Sequence, residues 1–556
     1  MAFAINAGSY PNRQIKIHDV LFGGGRVKSI NLRFRLANRT CGNSLQYPED
    51  AGRFSPFHCR LELIAVCGSL RYLLWINFGK IVHAIFSIDV KDIQNLNDGQ
   101  ARELVARLCR AELRGKGISQ AAVTWGGDQR AKDGGVDVRV DIDPTTGISG
   151  YVKNDRCAFQ VKAENFSKGK IPAEMAPLNI LRPAIVDLAT DGGAYVIVST
   201  RDSLSDKSLA SRVKAMTQCL VDRGLPASTL VDFYDCRKLV DWIEQHAAIA
   251  NWVRHVSGKP LIGWKPYSPW AYREVDVNAE YLIDARVKVF VPDADEGSDV
   301  QNAINRLRGD LTRNASVRIV GLSGVGKTRL VQALFDKRVI TTNPALDADN
   351  VLYADLSDNP TPQPIAMLDA LVLDGADCVV IVDNCGPDVH CKLTEIARRP
   401  GCKVRIVTIE YDIRDDLPEG TIFYRLEGSS DDVIKELLKR RFAVLSDNDL
   451  DKIAEFSDGN ARVAFALAST TETKGELARL QDADLFKRLF EQKNVSNEQL
   501  SRNAQVASLL YSFDGEDILP NSELAILASL AEVSIVAFIR DIAELQRRGL
   551  ARKFHV

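Results

Sequence analysis

Two features are scarce in this 556-residue sequence: paired cysteines and net charge of one sign. The 11 cysteines are scattered without a CxxC pair, which excludes the disulfide-rich secreted classes and is typical of reduced thiols in a cytoplasm. Lys and Arg total 71 and Asp and Glu total 73, so the net charge of −2 excludes a polybasic coat over the whole surface. Any contact with nucleic acid would therefore need a local basic patch.

Long apolar runs, internal repeats and low-complexity tracts are also missing. Charged and polar side chains interrupt the most apolar stretch, residues 61–88, before it reaches the roughly 18 apolar residues that suggest a membrane helix. No short apolar core follows a basic start, so we expect no secretory signal peptide. The sequence thus predicts a soluble cytoplasmic protein with no membrane partner.

The first ninety residues differ in composition from the rest of the chain. They hold more than twice as many Lys and Arg as Asp and Glu, and they show no sustained period of 2 or 3.6. Residues 1–88 are therefore an atypical basic segment with two interpretations. It is a basic N-terminal module, or it is upstream sequence translated from a misassigned start. The second is favoured, because regular periodicity begins abruptly at about Asp89.

Beyond residue 88 the sequence predicts a multidomain α/β protein. At roughly 100–200 residues per domain, the length allows three or four domains. Strand and helix signals predict a mixed α/β domain over 89–256 and, after a connector at 257–300 rich in Pro, Trp and Tyr, a doubly wound parallel sheet over 301–427. Residues 428–498 are predicted to be helical. Residues 499–556 are predicted to form short helices followed by a strand.

The strongest motif is GLSGVGKT at residues 321–328, which fits the phosphate-loop pattern GxxxxGK[ST]. An apolar strand precedes the motif and a helix-forming run follows it, as this loop requires. Its glycines let backbone N–H groups point at phosphate oxygens, while Lys327 should reach the β- and γ-phosphates and Thr328 should ligate Mg²⁺. The sequence therefore predicts a site for ATP and Mg²⁺. The predicted nucleotide-binding residues of this segment are Gly321, Ser323, Gly324, Val325, Gly326, Lys327, Thr328 and Arg329.

A carboxylate follows a second buried run, VVIVD, at the position where a Walker B residue would hold Mg²⁺ through water. This residue is Asp383, and the next is Asn384, whose amide cannot act as a general base. Hydrolysis is therefore expected to be slow, with nucleotide binding as the switch and Asp388 as a weak substitute base. Thr408 and Arg414 belong to the next motif, VRIVTIEYDIR, where a sensor residue would contact the γ-phosphate.

A second constellation lies in the predicted N-terminal α/β domain. Asp137 lies on the polar side of one predicted strand, and Gln160 and Lys162 flank Val161 on another. If these strands pair, the three side chains meet, and Glu103 on the preceding helix could add an oxygen. Asp137, Gln160 and Glu103 are thus candidate Mg²⁺ ligands, with Lys162 as a candidate catalytic residue for phosphodiester hydrolysis. The alternative is a polar strand face with a solvated lysine.

The sequence around these residues carries a resemblance. LNDGQARELVARL, VTWGGDQRAKDGGVDVRVDI and CAFQVKAENF resemble the Mrr-type double-stranded-DNA endonuclease domain, a member of the PD-(D/E)xK nucleases in the variant with QxK. In that resemblance GGVD supplies Asp137, QVK supplies Gln160 and Lys162, and the ELVARL helix supplies Glu103. The fold it implies is the mixed sheet of that nuclease class.

The second half of the chain resembles the signal-transduction ATPases with numerous domains (STAND). GLSGVGKTRL, VVIVDNC and VRIVTIEYDIR match their nucleotide-binding motifs, which implies a parallel sheet, a helical domain and a winged helix. SDGNARVAFAL resembles the GxP region, in which Gly459 and Arg462 match while Ala461 stands where proline is usual. Arg462 is therefore a further candidate nucleotide ligand.

The pairing of these two modules resembles the antiviral STAND (Avs) family. The resemblance implies an antiphage effector that senses a phage protein such as terminase or portal, assembles as a homo-oligomer (a tetramer when active) and cuts double-stranded DNA with Mg²⁺. The sequence contains no sensor repeats and stops within the predicted winged helix. It is therefore expected to be a truncated form or a short relative with a separate sensing partner.

Other interpretations stay open. A non-cleaving scaffold would use the phosphate loop for ATP-driven assembly only, and a subunit of an ATP-dependent restriction system would translocate along DNA. A zinc site is disfavoured, because Cys385, His390, Cys391 and Cys402 lack the paired spacing of zinc ligands.

Overall fold

A computed structural model gives the architecture. The residues that it describes are 14–22, 25–34, 62–67, 70–75, 85–126, 136–143, 147–272, 281, 287–290, 297–311, 316–410, 421–442, 445–474, 480–481, 485, 498–510, 513–547 and 551. The chain divides into two compact units, Met1–Ile85 and Phe86–Val556. In the described ranges, no helix combines the length and apolarity needed to cross a bilayer.

The first unit contains an antiparallel sheet in simple sequential order. Its strands are β1 (Gln14–Phe22), β2 (Gly25–Phe34), β3 (Glu62–Cys67) and β4 (Leu70–Trp75). The sequence predicted no regular element here. β3 and β4 are short, nearly continuous apolar runs without a period, and the alternation of apolar residues in β1 and β2 was missed. The misassigned start of residues 1–88 stays a prediction.

The second unit begins with a five-stranded mixed sheet in the order β5-β6-β7-β8-β9. The first three strands are antiparallel, and β7, β8 and β9 are parallel. The strands are β5 (Val123–Trp125), β6 (Val138–Asp141), β7 (Arg156–Lys162), β8 (Ala194–Ser199) and β9 (Leu230–Tyr234). The accompanying α-helices are Val90–Gln94, Asp98–Gly115, Ile171–Met175, Pro183–Thr190, Asp206–Val221, Cys236–Ile243 and Ala247–Val256.

The helix Asp98–Gly115 illustrates how the local sequence determines the fold. Asn97 and Gln100 form a reciprocal capping box, since each side chain accepts a hydrogen bond from the other residue's backbone N–H. Apolar residues then recur at helical spacing and are completely buried against the sheet. The charged residues at the intervening positions remain available for the contacts described below.

An eight-stranded sheet follows, in the order β10-β14-β15-β16-β13-β17-β11-β12. Its five central strands are parallel, as the sequence predicted, and the strands at both edges are antiparallel additions. The strands are β10 (Trp264–Lys265), β11 (Lys288–Phe290), β12 (Ser298–Asp299), β13 (Ser316–Val320), β14 (Val351–Asp355), β15 (Val379–Asp383), β16 (Arg405–Ile409) and β17 (Thr421–Leu426). The α-helices of this region are Tyr267–Ala271, Val300–Leu311, Lys327–Ala333, Pro364–Leu373 and Pro387–Ala397.

The strand order places a topological switch point beside β13. From β13 the chain crosses to β14, returns through β15 and β16, and then places β17 on the other side of β13. In sheets of this kind, ligands bind beyond the carboxyl ends of the strands at such a point. The end of β13 is where the phosphate loop begins.

The C-terminal residues form two helical groups with separate apolar cores. One core includes Ile434, Leu450 and Leu467, and the other includes Leu527 and Phe538. The helices are Asp431–Arg441, Asp447–Ser457, Ala461–Lys474, Glu498–Ala507, Glu523–Leu530 and Ile535–Arg547. The strand predicted at 550–556 lies, apart from Ala551, outside the described residues.

Candidate nucleotide site and candidate nuclease site

The phosphate loop connects β13 to the helix Lys327–Ala333. Gly321, Gly324 and Gly326 all have positive φ, between 95° and 146°. A Cβ atom at Gly321 would lie 2.3 Å from the carbonyl oxygen of Leu426, and one at Gly324 would lie 2.1 Å from Asn460 Oδ1. Only glycine fits these two positions, because both the backbone angle and the space exclude a side chain.

Lys327, Thr328 and Asp383 lie together at this loop. Lys327 Nζ donates to the carbonyl oxygens of Gly321 at 2.7 Å and Leu322 at 2.8 Å. Thr328 Oγ1 donates to Asp383 Oδ2 at 2.7 Å, and Asp383 is 3% exposed. A hydroxyl and a carboxylate oxygen are ligands that suit Mg²⁺, so the residue set fits the ion that the sequence predicted.

Tyr353 was missed by the sequence analysis. Its hydroxyl donates to the same Asp383 oxygen at 3.2 Å, and its ring stacks on Trp270 with centroids 4.4 Å apart. The Trp270 carbonyl oxygen accepts a hydrogen bond from Gln332 on the helix that follows the phosphate loop. Trp270 of the connector before β11 therefore contacts both Tyr353, which bonds Asp383, and the helix that follows the phosphate loop.

The helical region also contacts the phosphate loop. Arg462 Nη1 donates to Ser323 Oγ at 3.0 Å, and Asn460 Nδ2 donates to the Ser323 carbonyl oxygen at 2.8 Å. The sequence named Arg462 and Ser323 as nucleotide ligands, and the fold brings them together. Asn460 was missed, although it lies two residues before Arg462 in the same motif.

Three other predicted nucleotide residues, Val325, Arg329 and Thr408, make contacts elsewhere in the fold. Val325 is 5% exposed and packs in the core, and Arg329 donates to Gln332 Oε1 at 3.1 Å. Thr408 is in register with Val382, so its side chain lies on the face of the sheet opposite Asp383. The roles of Arg329 and Thr408 stay predictions, and Arg414 lies outside the described residues.

Thr408 belongs to a buried polar cluster with Arg318 and His390. Its Oγ1 lies 2.8 Å from His390 Nδ1 and 3.5 Å from Arg318 Nη1. Burial, with a smaller contribution from the Arg318 charge, lowers the pKa of His390 to about 3. His390 bonds hydroxyls rather than cysteines, and in the described ranges no group of three or more His, Cys, Asp and Glu residues could hold a metal ion.

The candidate nuclease residues Asp137 and Gln160 meet where β6 and β7 pair. Asp137 Oδ2 accepts from Gln160 Nε2 and from the Val161 backbone N–H, both at 2.7 Å. Gln160 is 7% exposed, and its carbonyl oxygen Oε1 is buried and accepts no hydrogen bond from the described residues. Burial raises the pKa of Asp137, opposed by the Val161 N–H and the nearby Arg102 charge.

Lys162 lies two residues along the same face of β7 and is paired. Its Nζ is 2.8 Å from Glu174 Oε2, and Glu174 Oε1 is 3.1 Å from Arg182 Nη2. Glu174 belongs to the short helix Ile171–Met175 and was missed by the sequence analysis. No spacing rule identifies it, because the pairing depends on how that helix packs beside β7.

Glu103 pairs with Arg107, a neighbour on its own helix. Its Oε1 accepts from Arg107 at 2.6 Å, whereas the neighbouring Arg102 has its Nε 3.8 Å from Asp137 Oδ1. Successive helical residues point about 100° apart, so the helix directs Arg102 rather than Glu103 at Asp137. Asp137 and Gln160 provide oxygens of the kind that Mg²⁺ binds, and a third from Glu103 stays a prediction.

Three arginines join this domain to the phosphate-loop sheet. Arg107 and Arg110 pair with Asp349, and Arg114 pairs with Asp347. The three, which we call the arginine row, recur at helical spacing on one face of Asp98–Gly115. Their acidic partners precede β14, and all five side chains are at most 20% exposed.

The parallel sheet, the glycine loop after β13 and the carboxylate that ends β15 define a P-loop ATPase fold. No family model matches this chain, and no curated protein matches it. Solved structures similar to it include a STAND protein with a tetratricopeptide repeat sensor, PH0952 of Pyrococcus horikoshii, at 15% identity and TM-score 0.26. That alignment covers 50% of this chain and 42% of that chain.

Two further solved structures are similar at the same level. The Walker-type ATPase paby2304 of Pyrococcus abyssi shows 12% identity and TM-score 0.24, with 42% of this chain and 88% of that chain covered. PCH-2 of C. elegans shows 16% identity and TM-score 0.20, with 34% and 65% covered. At these scores the fold assignment rests on the strand order and loop of the chain itself.

Proposed function

We propose that this protein is an ATP-controlled effector of antiphage defence. In it, a P-loop switch of the STAND type governs an N-terminal Mg²⁺-dependent endonuclease for double-stranded DNA. The observation that carries the switch is the convergence of Lys327, Thr328 and Asp383 at the end of the parallel sheet. Lys327 and the loop N–H groups would bind the phosphates, and Thr328 and Asp383 would hold Mg²⁺.

The endonuclease assignment is supported by the cluster of Asp137, Gln160 and Lys162. Asp137 and Gln160 would hold a Mg²⁺ ion, which supplies polarisation of the phosphodiester and a more acidic water. Lys162, once separated from Glu174, would offset negative charge on the phosphate during cleavage. In the structure Glu174 pairs with Lys162, and Arg102 lies beside Asp137. These ion pairs suit a nuclease that is inactive at rest.

Control of one site by the other is supported by the contacts between the two domains. The arginine row joins the helix Asp98–Gly115 to the segment before β14. Tyr353, on β14 itself, stacks on Trp270 and donates a hydrogen bond to Asp383. A change at the nucleotide site can therefore reach the nuclease-like domain through packed groups.

The partners in this proposal come from the family resemblance. They are a phage protein of the terminase or portal class as the trigger, double-stranded DNA as the substrate, and further copies of this chain in a tetramer. The domain boundaries 89–256, 257–300, 301–427, 428–498 and 499–556 are part of the same proposal.

Nucleotide binding by the full chain tests the switch. We expect a fluorescent ATP analogue to bind with Mg²⁺ and to lose at least tenfold in affinity in Lys327→Ala. Thr328→Ala should lose the Mg²⁺ dependence, and Lys392→Ala, an exposed lysine on Pro387–Ala397, is the matched control. Equal binding by Lys327→Ala and wild type would reject the proposal.

A non-cleaving scaffold is the second candidate function. It is favoured by the ion pair that occupies Lys162 and by an arginine, rather than a second acid, beside Asp137. ATP-dependent assembly that bound DNA without producing fragments, in both wild type and Lys162→Ala, would support it. The third candidate, a translocating restriction subunit, predicts ATP hydrolysis strongly stimulated by DNA.

A further inference from the structure

The residue after Asp383 cannot provide a base for ATP hydrolysis, but the neighbouring strand ends in a carboxylate. Asp355 is the last residue of β14, and it pairs in register with Asp383, the last residue of β15. Paired residues of adjacent parallel strands are about 5 Å apart and point to the same face. The Asp355 and Asp383 side chains therefore lie side by side beyond the carboxyl edge of the sheet.

Asn384 holds Asp355 in place. Its side-chain amide donates to Asp355 Oδ1, and its backbone N–H donates to Asp383 Oδ1 at 2.9 Å. The backbone φ of Asn384 is +54°, a left-handed conformation that turns the amide toward β14. Asn384 thus bridges the two carboxylates.

The hydrogen bonds of Asp355 are all on one oxygen. Oδ1 also accepts from the Ser357 backbone N–H at 2.9 Å and from Ser357 Oγ at 2.6 Å. Oδ2 accepts no hydrogen bond from any described residue. The carboxylate is 9% exposed and oriented by three donors, with one oxygen left to accept a proton.

We propose that Asp355 is the general base for ATP hydrolysis and that Asn384 is its positioning residue. This inference rests on the proposed nucleotide site. The oxygen of a water forms a bond to the γ-phosphorus, and the bond from that phosphorus to the bridging oxygen breaks. The electron pair of that bond leaves on the ADP β-phosphate. The water's proton passes to Asp355 Oδ2 and then to solvent. Asp388 is less suited, because it is exposed on the helix Pro387–Ala397.

The test compares hydrolysis with binding in the full chain. Phosphate release and binding of a fluorescent ATP analogue, both with Mg²⁺, are measured for wild type and Asp355→Asn, which keeps an oxygen for Ser357. We expect kcat to fall by about 100-fold, within the range for loss of a general base, while affinity changes less than threefold. Asp355→Glu should recover part of kcat.

Two further variants separate catalysis from structure. Asp358→Asn changes an acid in the same turn, 43% exposed and paired with Lys265, and should leave kcat unchanged. Asn384→Gly keeps the left-handed backbone but removes the amide, and should lower kcat by about tenfold without changing affinity. If Asp355→Asn fails to fold, the kcat of Asn384→Gly decides whether Asp355 acts as the base.

The outcomes distinguish this inference from the proposed function. Wild-type hydrolysis rates in Asp355→Asn and Asn384→Gly would overturn the role of Asp355, and so would a wild-type chain that binds ATP without hydrolysing it. In both cases the nucleotide site itself stands. Binding that is equal in wild type and Lys327→Ala would instead reject the site and the inference together.

Discussion

At the residue scale, the glycines of the phosphate loop carry a strict requirement. Gly324 has φ of +95°, and its missing Cβ would lie 2.1 Å from Asn460 Oδ1. We expect Gly324→Ala to destabilise the docking of the helical region on the loop by about 1–3 kcal/mol and to weaken ATP binding. Gly386→Ala, at a φ of −59° with open space around it, is the control for both the thermal midpoint and affinity. Equal effects of the two changes would contradict the close approach.

His390 makes stability depend on pH. Its pKa is about 3 in the folded chain against about 6.5 in an unfolded one. The stabilising effect of the neutral imidazole is complete above about pH 6.5. It is lost as the pH falls toward 3, because only the unfolded chain takes up the proton. The maximum slope is about 1.4 kcal/mol per pH unit.

Thermal unfolding between pH 7.5 and 5 checks this expectation. The midpoint of wild type should fall more steeply with decreasing pH than that of His390→Gln. His246, whose pKa burial lowers to about 4, acts in the same direction and remains in both proteins. Parallel pH profiles for the two proteins would show that His390 is not the group responsible.

The sequence predicted some site residues and missed others for physical reasons. Thr328 and Asp383 could be predicted to meet, because a phosphate loop and a Walker B acid both follow parallel strands and so share one edge of the sheet. Asp355 ends β14 in the same way and could have been found by the same rule. Glu174 could not, because its contact with Lys162 depends on how a short helix packs rather than on spacing.

At the element scale, the helix Asp98–Gly115 serves two neighbours. Its apolar face is buried against the mixed sheet, and its arginine row pairs with Asp347 and Asp349. We expect a double-mutant cycle on Arg114→Ala and Asp347→Asn to give a coupling of about 0.5–3 kcal/mol in the free energy of unfolding. Asp347→Asn keeps an oxygen for the backbone N–H of Asp349, so the local turn is retained.

A surface pair provides the matched control for that cycle. Arg399 Nη1 lies 2.6 Å from Asp369 Oδ1, but the two side chains are 48% and 40% exposed. Their coupling should be about 0–1 kcal/mol and should decrease with added salt. A coupling for Arg114 and Asp347 no larger than that of the control pair would remove the arginine row as an energetic connection between the two domains.

The long, buried strands could be predicted from the sequence, and the short edge strands could not. β14 and β15 are buried on both faces and appear in the sequence as continuous apolar runs, typical of parallel strands. β10, β11 and β12 are two or three residues long and carry no recognisable pattern. β17, at residues 421–426, was missed although its β-branched and aromatic residues favour a strand.

At the scale of the second unit, charged contacts join the helix Asp98–Gly115 to the segment before β14. Tyr353 of β14 stacks on Trp270 of the connector. The hydroxyl of Tyr353 contacts Asp383, so β14 lies between the arginine row and the candidate nucleotide site. This position of β14 is the physical basis for expecting ATP to control the N-terminal domain.

Plasmid cleavage by the full chain with Mg²⁺, ATP and a purified phage terminase or portal protein as the trigger tests this account most directly. We expect wild type to cut double-stranded DNA, and both Lys162→Ala and Lys327→Ala to lose cutting by at least 100-fold. Lys168→Ala, which changes an exposed lysine a short way after Lys162 in the sequence, should cut like wild type. Cutting that survives in Lys162→Ala, or DNA that stays intact with wild type under ATP, ADP and a non-hydrolysable analogue alike, would contradict the ATP-controlled nuclease.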